Sequence, residues 1–186
     1  MISVRNGLAI PVLALLLATS GRAEAQASGA KAATALSDAE IAHVAVTANA
    51  VDVEVGKLAL KTAKNAEVRS FAQTMITDHT AVIGQASALV KKLGVTPADN
   101  AVSKSLWTGA HEAEANLAKV KGADFEKAYM DREVGFHQAV LDALDATLIP
   151  GATNAELKSL LQAVRPAIVA HLDHAKTIRT SLGGAK

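Results

Sequence analysis

Four stretches of this chain carry small apolar residues at steps of three and four, and two of the junctions between them are short enough only for helical hairpins. Ser37-Asp38-Ala39-Glu40 has the form of a capping box, in which the serine hydroxyl accepts from the amide three residues on and the glutamate reaches back to the cap amide. A helix is predicted from there to about Ala63, with Ile41, Ala45, Ala48, Asp52, Val55 and Ala59 along one seam. Asn65 caps a second helix, whose seam runs through Val68, Phe71, Ala72, Met75, His79, Val82, Ala86 and Val90 until Gly94 stops it. A third helix spans about Ala123 to Leu148, with Met130, Glu133, His137, Leu141 and Leu144 on one face, and Pro150-Gly151 ends it. Thr153-Asn154-Ala155-Glu156 reads as a second capping box. It opens a fourth helix to about Leu182, striped by Leu157, Leu161, Val164, Ile168, His171, Ala175 and Ile178. Pro166 removes a ladder bond there and predicts a kink one turn before His171.

The connections at 63–66 and 149–153 are short, whereas Val95 to Asn100 is a loop leading into a less regular helix from about Ser103 to Lys121. The fold class is therefore all-α: a four-helix bundle with one long crossover containing an additional short helix, the connectivity of ferritin-like folds. Composition agrees. Only five aromatics occur (Phe71, Trp107, Phe125, Tyr129 and Phe136), and alanine supplies roughly a fifth of the residues, which suits closely packed helices better than strands.

Arg5, an apolar run from about Leu8 to Ala18 and the small-residue triplet ending at Ala25 have the order of a secretory signal peptide. The run would rise only about 16 Å as a helix, short of a hydrocarbon core of about 30 Å. The expected organisation is a signal peptide at 1–25, a flexible spacer at 26–36, a bundle at 37–182 and a tail at 183–186, with the mature protein in the periplasm or associated with the outer membrane. Loss of Arg5, Arg22 and Glu24 with the leader takes Lys+Arg from 19 to 17 and Asp+Glu from 18 to 17. A formally neutral chain carries no electrostatic footprint for nucleic acid. The absence of cysteine excludes a disulfide partner and a thiolate ligand. No Gly-x-Ser-x-Gly and no glycine-rich phosphate loop is present, so hydrolase and nucleotide chemistry find no support.

His79, His137 and His171 fall on the seams of three different predicted helices. With Asp52 on the first, they lie at heights that differ by about 5 Å in an antiparallel bundle. Glu133 sits one turn from His137 on the same face. Polar groups in a bundle interior cost free energy unless paired, so this level is either a hydrogen-bonded layer or a metal site. The candidate ligands are His79, His137, His171, Glu133 and Asp52, a nitrogen and oxygen set that suits zinc, copper, iron or manganese. Asp78, about 100° round from His79, should point to a neighbouring interface. His174 is expected at the bundle edge, Glu40 is taken by its capping box and so does not pair with His43 as a ligand, and His111 belongs to a solvated face. Gly56 and Gly135 interrupt helices near the layer, where either close helix approach or a ligand passage accounts for them.

The stretches Val55-Gly56-Lys57-Leu58-Ala59, Phe71-Ala72-Gln73-Thr74-Met75 with Asp78-His79, and Asp124-Phe125-Glu126-Lys127-Ala128-Tyr129-Met130 leading to His137 carry a further signal. With Asn154 to Lys158 and His171-Leu172, they resemble, over about Ser37 to Leu182, an exported and mostly bacterial family catalogued as domain of unknown function 4142, whose members are often labelled outer-membrane proteins. The resemblance implies a ferritin-like bundle in the cell envelope and no settled activity. The family has glutamate near position 52, where this chain has the shorter Asp52. The wider di-iron class wants two Glu-x-x-His pairs and two further inward glutamates. Here Glu133 and His137 stand four apart, Asp78 directly precedes His79, and no acid lies one turn before His171. That pattern argues against ferroxidase chemistry.

Three functional readings follow. The leading one is a non-catalytic, exported bundle protein whose buried histidine and carboxylate layer takes a transition metal, acting in envelope maintenance or stress. The second is an oxidoreductase whose single metal in that layer cycles redox state, with Tyr129 as a nearby donor. The third is a module that assembles with itself or with another envelope protein.

Overall fold

The computed structural model describes residues 35–184, and these are helical throughout apart from their connections. The expected signal peptide, most of the spacer and the last residues of the tail lie outside the described residues. Helix α1 (Asp38–Thr62) begins at Ser37, whose side chain accepts from the Glu40 amide while Glu40 Oε2 accepts from the Ser37 amide at 2.8 Å, so the capping box forms as predicted. Helix α2 (Ala66–Leu93) is capped by Asn65 and ends at Gly94 in the left-handed conformation, φ +63°. Helix α3 (Ala101–Leu117) starts two residues earlier than the periodicity suggests. Asn100 and Ser103 cap each other reciprocally there, and the apolar pattern alone does not reveal that pairing. It also ends four residues earlier.

Helix α4 (Ala123–Ala143) passes into a π-helical segment (Leu144–Leu148) and a terminal turn, α5 (Ile149–Gly151). Pro150 sits inside that turn, where its missing N–H costs little. Helix α6 (Ala155–Gly184) runs on through Pro166. The Thr153 capping box is corrected. Asn154 is the residue whose Oδ1 accepts from the amides of Glu156 and Leu157, because the Thr153 hydroxyl is engaged by Asp38 Oδ2 at 2.5 Å. That bond ties the start of α1 to the start of α6.

α1 packs chiefly on α2 and α4 chiefly on α6, with α3 crossing over against α1. The result is the all-α bundle with a single long crossover that the connection lengths predict. Two clusters of buried apolar residues fill it, one centred on Phe71, Met75, Phe125, Tyr129 and Met130, the other on Ile41, Leu144, Leu148, Leu157 and Leu161. The polar layer lies between them. Gly56 serves close approach, since an added Cβ would stand 3.3 Å from Ile76 Cγ1 and 3.5 Å from the Ala72 carbonyl. Gly135 does not. A Cβ there would meet nothing within 4 Å, and the residue borders an open groove between α3 and α4. No helix among the described residues is long and apolar enough to cross a membrane.

Candidate functional site

Each of the four long helices delivers one polar side chain to the level between the two apolar clusters: Asp52 from α1, His79 from α2, His137 from α4 and His171 from α6. All are buried, with Asp52 and His137 at 0% exposure. The three imidazole ring centres form a nearly equilateral triangle with edges of 5.6, 5.3 and 5.5 Å. The third side spans α4 and α6, so the inward registers of both hairpins agree.

In each ring one nitrogen is held by an acceptor. His79 Nδ1 donates to Asn49 Oδ1 at 2.6 Å, and the Asn49 amide is itself oriented by donating to the Ala45 carbonyl at 2.8 Å. His137 Nδ1 donates to the Glu133 main-chain carbonyl at 3.0 Å, and His171 Nε2 donates to Asp78 Oδ2 at 3.0 Å. The remaining nitrogens, His79 Nε2, His137 Nε2 and His171 Nδ1, are buried and without a hydrogen-bond partner. Ligand atoms of the three rings fall within 4.8 Å of one another. Asp52 Oδ2 is likewise unpartnered. It stands 3.0 Å from His79 Nε2, without the alignment of a hydrogen bond, and 4.0 Å from His137 Nε2.

Arg132 completes the layer. Its guanidinium donates through Nη1 to Asp52 Oδ1 and, at 2.7 Å, to Glu133 Oε1, while its carbon centre lies 4.1 Å over the Phe136 ring. Glu133 therefore enters the layer on the arginine side. Its Oε2 lies 3.4 Å from His137 Nδ1, and Asp52, Glu133 and His137 form a second possible ligand group that shares His137 with the three rings. The Tyr129 hydroxyl, one turn from Glu133, is buried without a partner, and burial together with the Glu133 charge pushes its pKa up.

The electrostatics follow from burial and from one cation. Burial alone would raise Asp52, but the Arg132 charge and the facing His79 hold its carboxyl well below the usual carboxylate range. Burial and repulsion from Asp52 push Glu133 up to about 8, with Arg132 opposing. Burial lowers His137 to about 4, with repulsion from His79 adding and Asp52 opposing, and burial lowers His171 as well. At neutral pH the His137 and His171 rings are thus neutral, each with a free lone pair on its unbonded nitrogen.

These shifts carry a stability signature. A folded pKa raised from 4.5 to about 8 means that Glu133 holds a proton in the fold that the unfolded chain has released, so its contribution is lost as pH rises through 8. The depressed His137 acts oppositely, its contribution being full above 6.5 and lost as pH falls toward 4. Between pH 6.5 and 8 the Glu133 proton sets a falling slope, and urea unfolding should show a loss of about 2 kcal/mol across that window at 1.36 kcal/mol per pH unit. Glu133→Gln should flatten it. An undiminished slope in that variant would count against a buried, protonated Glu133.

Asp78 reaches α6 across the interface as expected, His174 is exposed at the bundle edge against Phe71, and His111 is exposed beside Trp107. Glu40 is occupied by its cap, and His43 lies 3.7 Å from Asp99, away from the layer. Sequence reasoning missed Arg132 and Asn49. Both sit beside seam positions where long or amide side chains read as surface. Two acids on apolar seams were the available signal, because such acids require a cation close by.

The family described as Domain of unknown function (DUF4142) matches residues 23–178. No curated protein and no solved structure shows a significant match to the chain.

Proposed function

The chain belongs to that family, and we propose that its function rests on one buried transition-metal ion held by His79 Nε2, His137 Nε2, His171 Nδ1 and Asp52 Oδ2. The observation that carries this reading is the coincidence of three unpartnered buried imidazole nitrogens from three helices within 4.8 Å of one another, with the unpartnered Asp52 Oδ2 of α1 beside two of them. Leaving such atoms unpaired costs about 1–3 kcal/mol each, an expense a fold avoids unless something satisfies them. Three imidazoles around a tetrahedral ion at 2.0–2.1 Å would place their ring centres roughly 5 Å apart, close to the triangle described above.

The outer contacts support the same reading. Metal-bound histidines donate their other ring N–H to a carboxylate, a carbonyl or an amide oxygen, which fixes tautomer and orientation. Asn49, the Glu133 carbonyl and Asp78 do this here, one for each ring. Arg132 neutralises Asp52 through Oδ1 and leaves Oδ2 turned toward the histidines. Glu133 serves as an outer partner bonded to that arginine, and Tyr129 lies beyond it. Three nitrogens and one carboxylate oxygen are ligand types that zinc accepts, and four protein ligands would leave no open position, as in a structural site. The proposed role is non-catalytic: an ion that pins the bundle.

Elemental analysis of the purified full chain tests this against a triple variant, His79→Ala, His137→Ala and His171→Ala. One transition-metal equivalent per wild-type chain and none in the variant is the expected result. Equal content in both would end the proposal.

A cell-envelope location is part of the same reading. It is supported by the charged, apolar and small-residue order of residues 1–25. Fractionation of cells producing the full chain should recover it outside the cytoplasm, shortened at its N-terminus. Full-length protein confined to the cytoplasm would refute export.

A further inference from the structure

The bundle is unevenly closed on the two sides of the histidine layer. Between His79 and Val90, Ala86 is the one buried residue of α2, and small or polar residues such as Gly84, Gln85 and Ser87 fill much of the rest. On α6, Leu160 and Val164 are half-buried and Ala167 is exposed. Val82 and Ala86 of α2 and Leu160, Val164 and Ala167 of α6 border a cleft, part of it open to solvent, whose walls are aliphatic except at one end. At that end lie Asn49, Asp78, His79 and His171.

Two irregular stretches border this one cleft. Leu144 and Leu148 belong to the π-helical segment, and Val164 and Ala167 flank Pro166. Single π turns inside α-helices recur at functional sites, since they give up regular packing to reshape a wall. Here the π turn, the internal proline and the thin face of α2 all meet at the same space.

We propose that the cleft binds the alkyl chain of a linear amphiphile with an uncharged head, the head lying at the histidine layer. Aliphatic walls with a few polar groups at one end select such a molecule. From His171 to Leu160 the cleft follows eleven residues of α6, about 16 Å at 1.5 Å per residue, which suits an extended chain rather than a compact ring. The polar end offers hydrogen-bonding partners to a hydroxyl or amide. Asp78, an exposed carboxylate at that end, repels an anionic head. This goes beyond the metal reading and needs no ion.

Calorimetric titration of the chelated full chain with n-decanol and with decanoate tests it. Decanol should bind saturably at one site, and decanoate at least about tenfold more weakly. Asp78→Asn should narrow that gap. Ala167→Trp and Val82→Trp, at the partly exposed mouth, should each weaken decanol at least about tenfold with helicity unchanged by circular dichroism. Absent or non-saturating decanol binding, decanoate binding as tight as decanol, or mouth variants that bind as wild type would each overturn the proposal. Decanol binding that stays saturable in the triple histidine variant, but weaker for the loss of the polar end, would uphold the cleft even if the metal site fails.

Discussion

Arg132→Met is expected to lower the unfolding free energy by about 3–5 kcal/mol, the cost of leaving buried charge without its partner. The guanidinium is the cation that both Asp52 and Glu133 contact, and each of those carboxyls is wholly buried. Methionine keeps much of the volume and the contact with Phe136, so the loss isolates charge rather than a cavity. Restoring neutrality should restore stability. In the triple variant Arg132→Met, Asp52→Asn, Glu133→Gln, most of the loss is expected to return, because replacing a whole buried ionic group is often close to neutral. Lower pH should shrink the single variant's defect as the stranded Asp52 carboxylate protonates. Urea unfolding of metal-free protein reads all three comparisons, and a single-variant loss below about 1 kcal/mol would show that the arginine is not the keystone of the layer.

Zinc is expected to stabilise the wild-type bundle by about 4 kcal/mol when free ion stands a thousandfold above its dissociation constant. For a domain of this size that corresponds to a rise of roughly 8–16 °C in the melting temperature. The origin is geometric, since one donor from each long helix makes unfolding and ion release a single event. Protons compete with the ion for the same nitrogens. The gain should therefore hold near pH 7 and shrink as pH falls toward the value of about 4 that burial imposes on His137. Differential scanning calorimetry with and without chelator measures it. A melting temperature insensitive to zinc at pH 7, or a gain undiminished at low pH, would remove histidine ligation as the explanation.

Much of the site was legible in the order of residues. Asp52, His79, His137 and His171 were placed at one height by helix limits and a rise of 1.5 Å per residue, and the structure brings them together. Glu133 was legible as a neighbour of His137, but its pairing was not. Nothing local distinguishes an acid that faces a histidine from one that faces an arginine, because side chains one residue apart on a helix diverge by about 100°. Arg132 was missed for the same reason. Asn49 was missed because a lone amide one turn from Asp52 has no pattern of its own, and its role appears only when α2 delivers His79 Nδ1 to within 2.6 Å of it.

Local chemistry alone determined where the helices begin and how they connect. Ser37, Asn65 and Gly94 act on amides and carbonyls a few residues away, and short junctions force neighbouring helices antiparallel. Tertiary contact decided the rest. It moved the cap of α6 from Thr153 to Asn154, because Asp38, 115 residues away, takes the threonine hydroxyl. It also opened the cleft beside α2, and it chose which nitrogen of each imidazole is bonded and which is left free. Those choices depend on atoms from other helices a few ångströms away, and the spacing of residues within one helix carries no record of them.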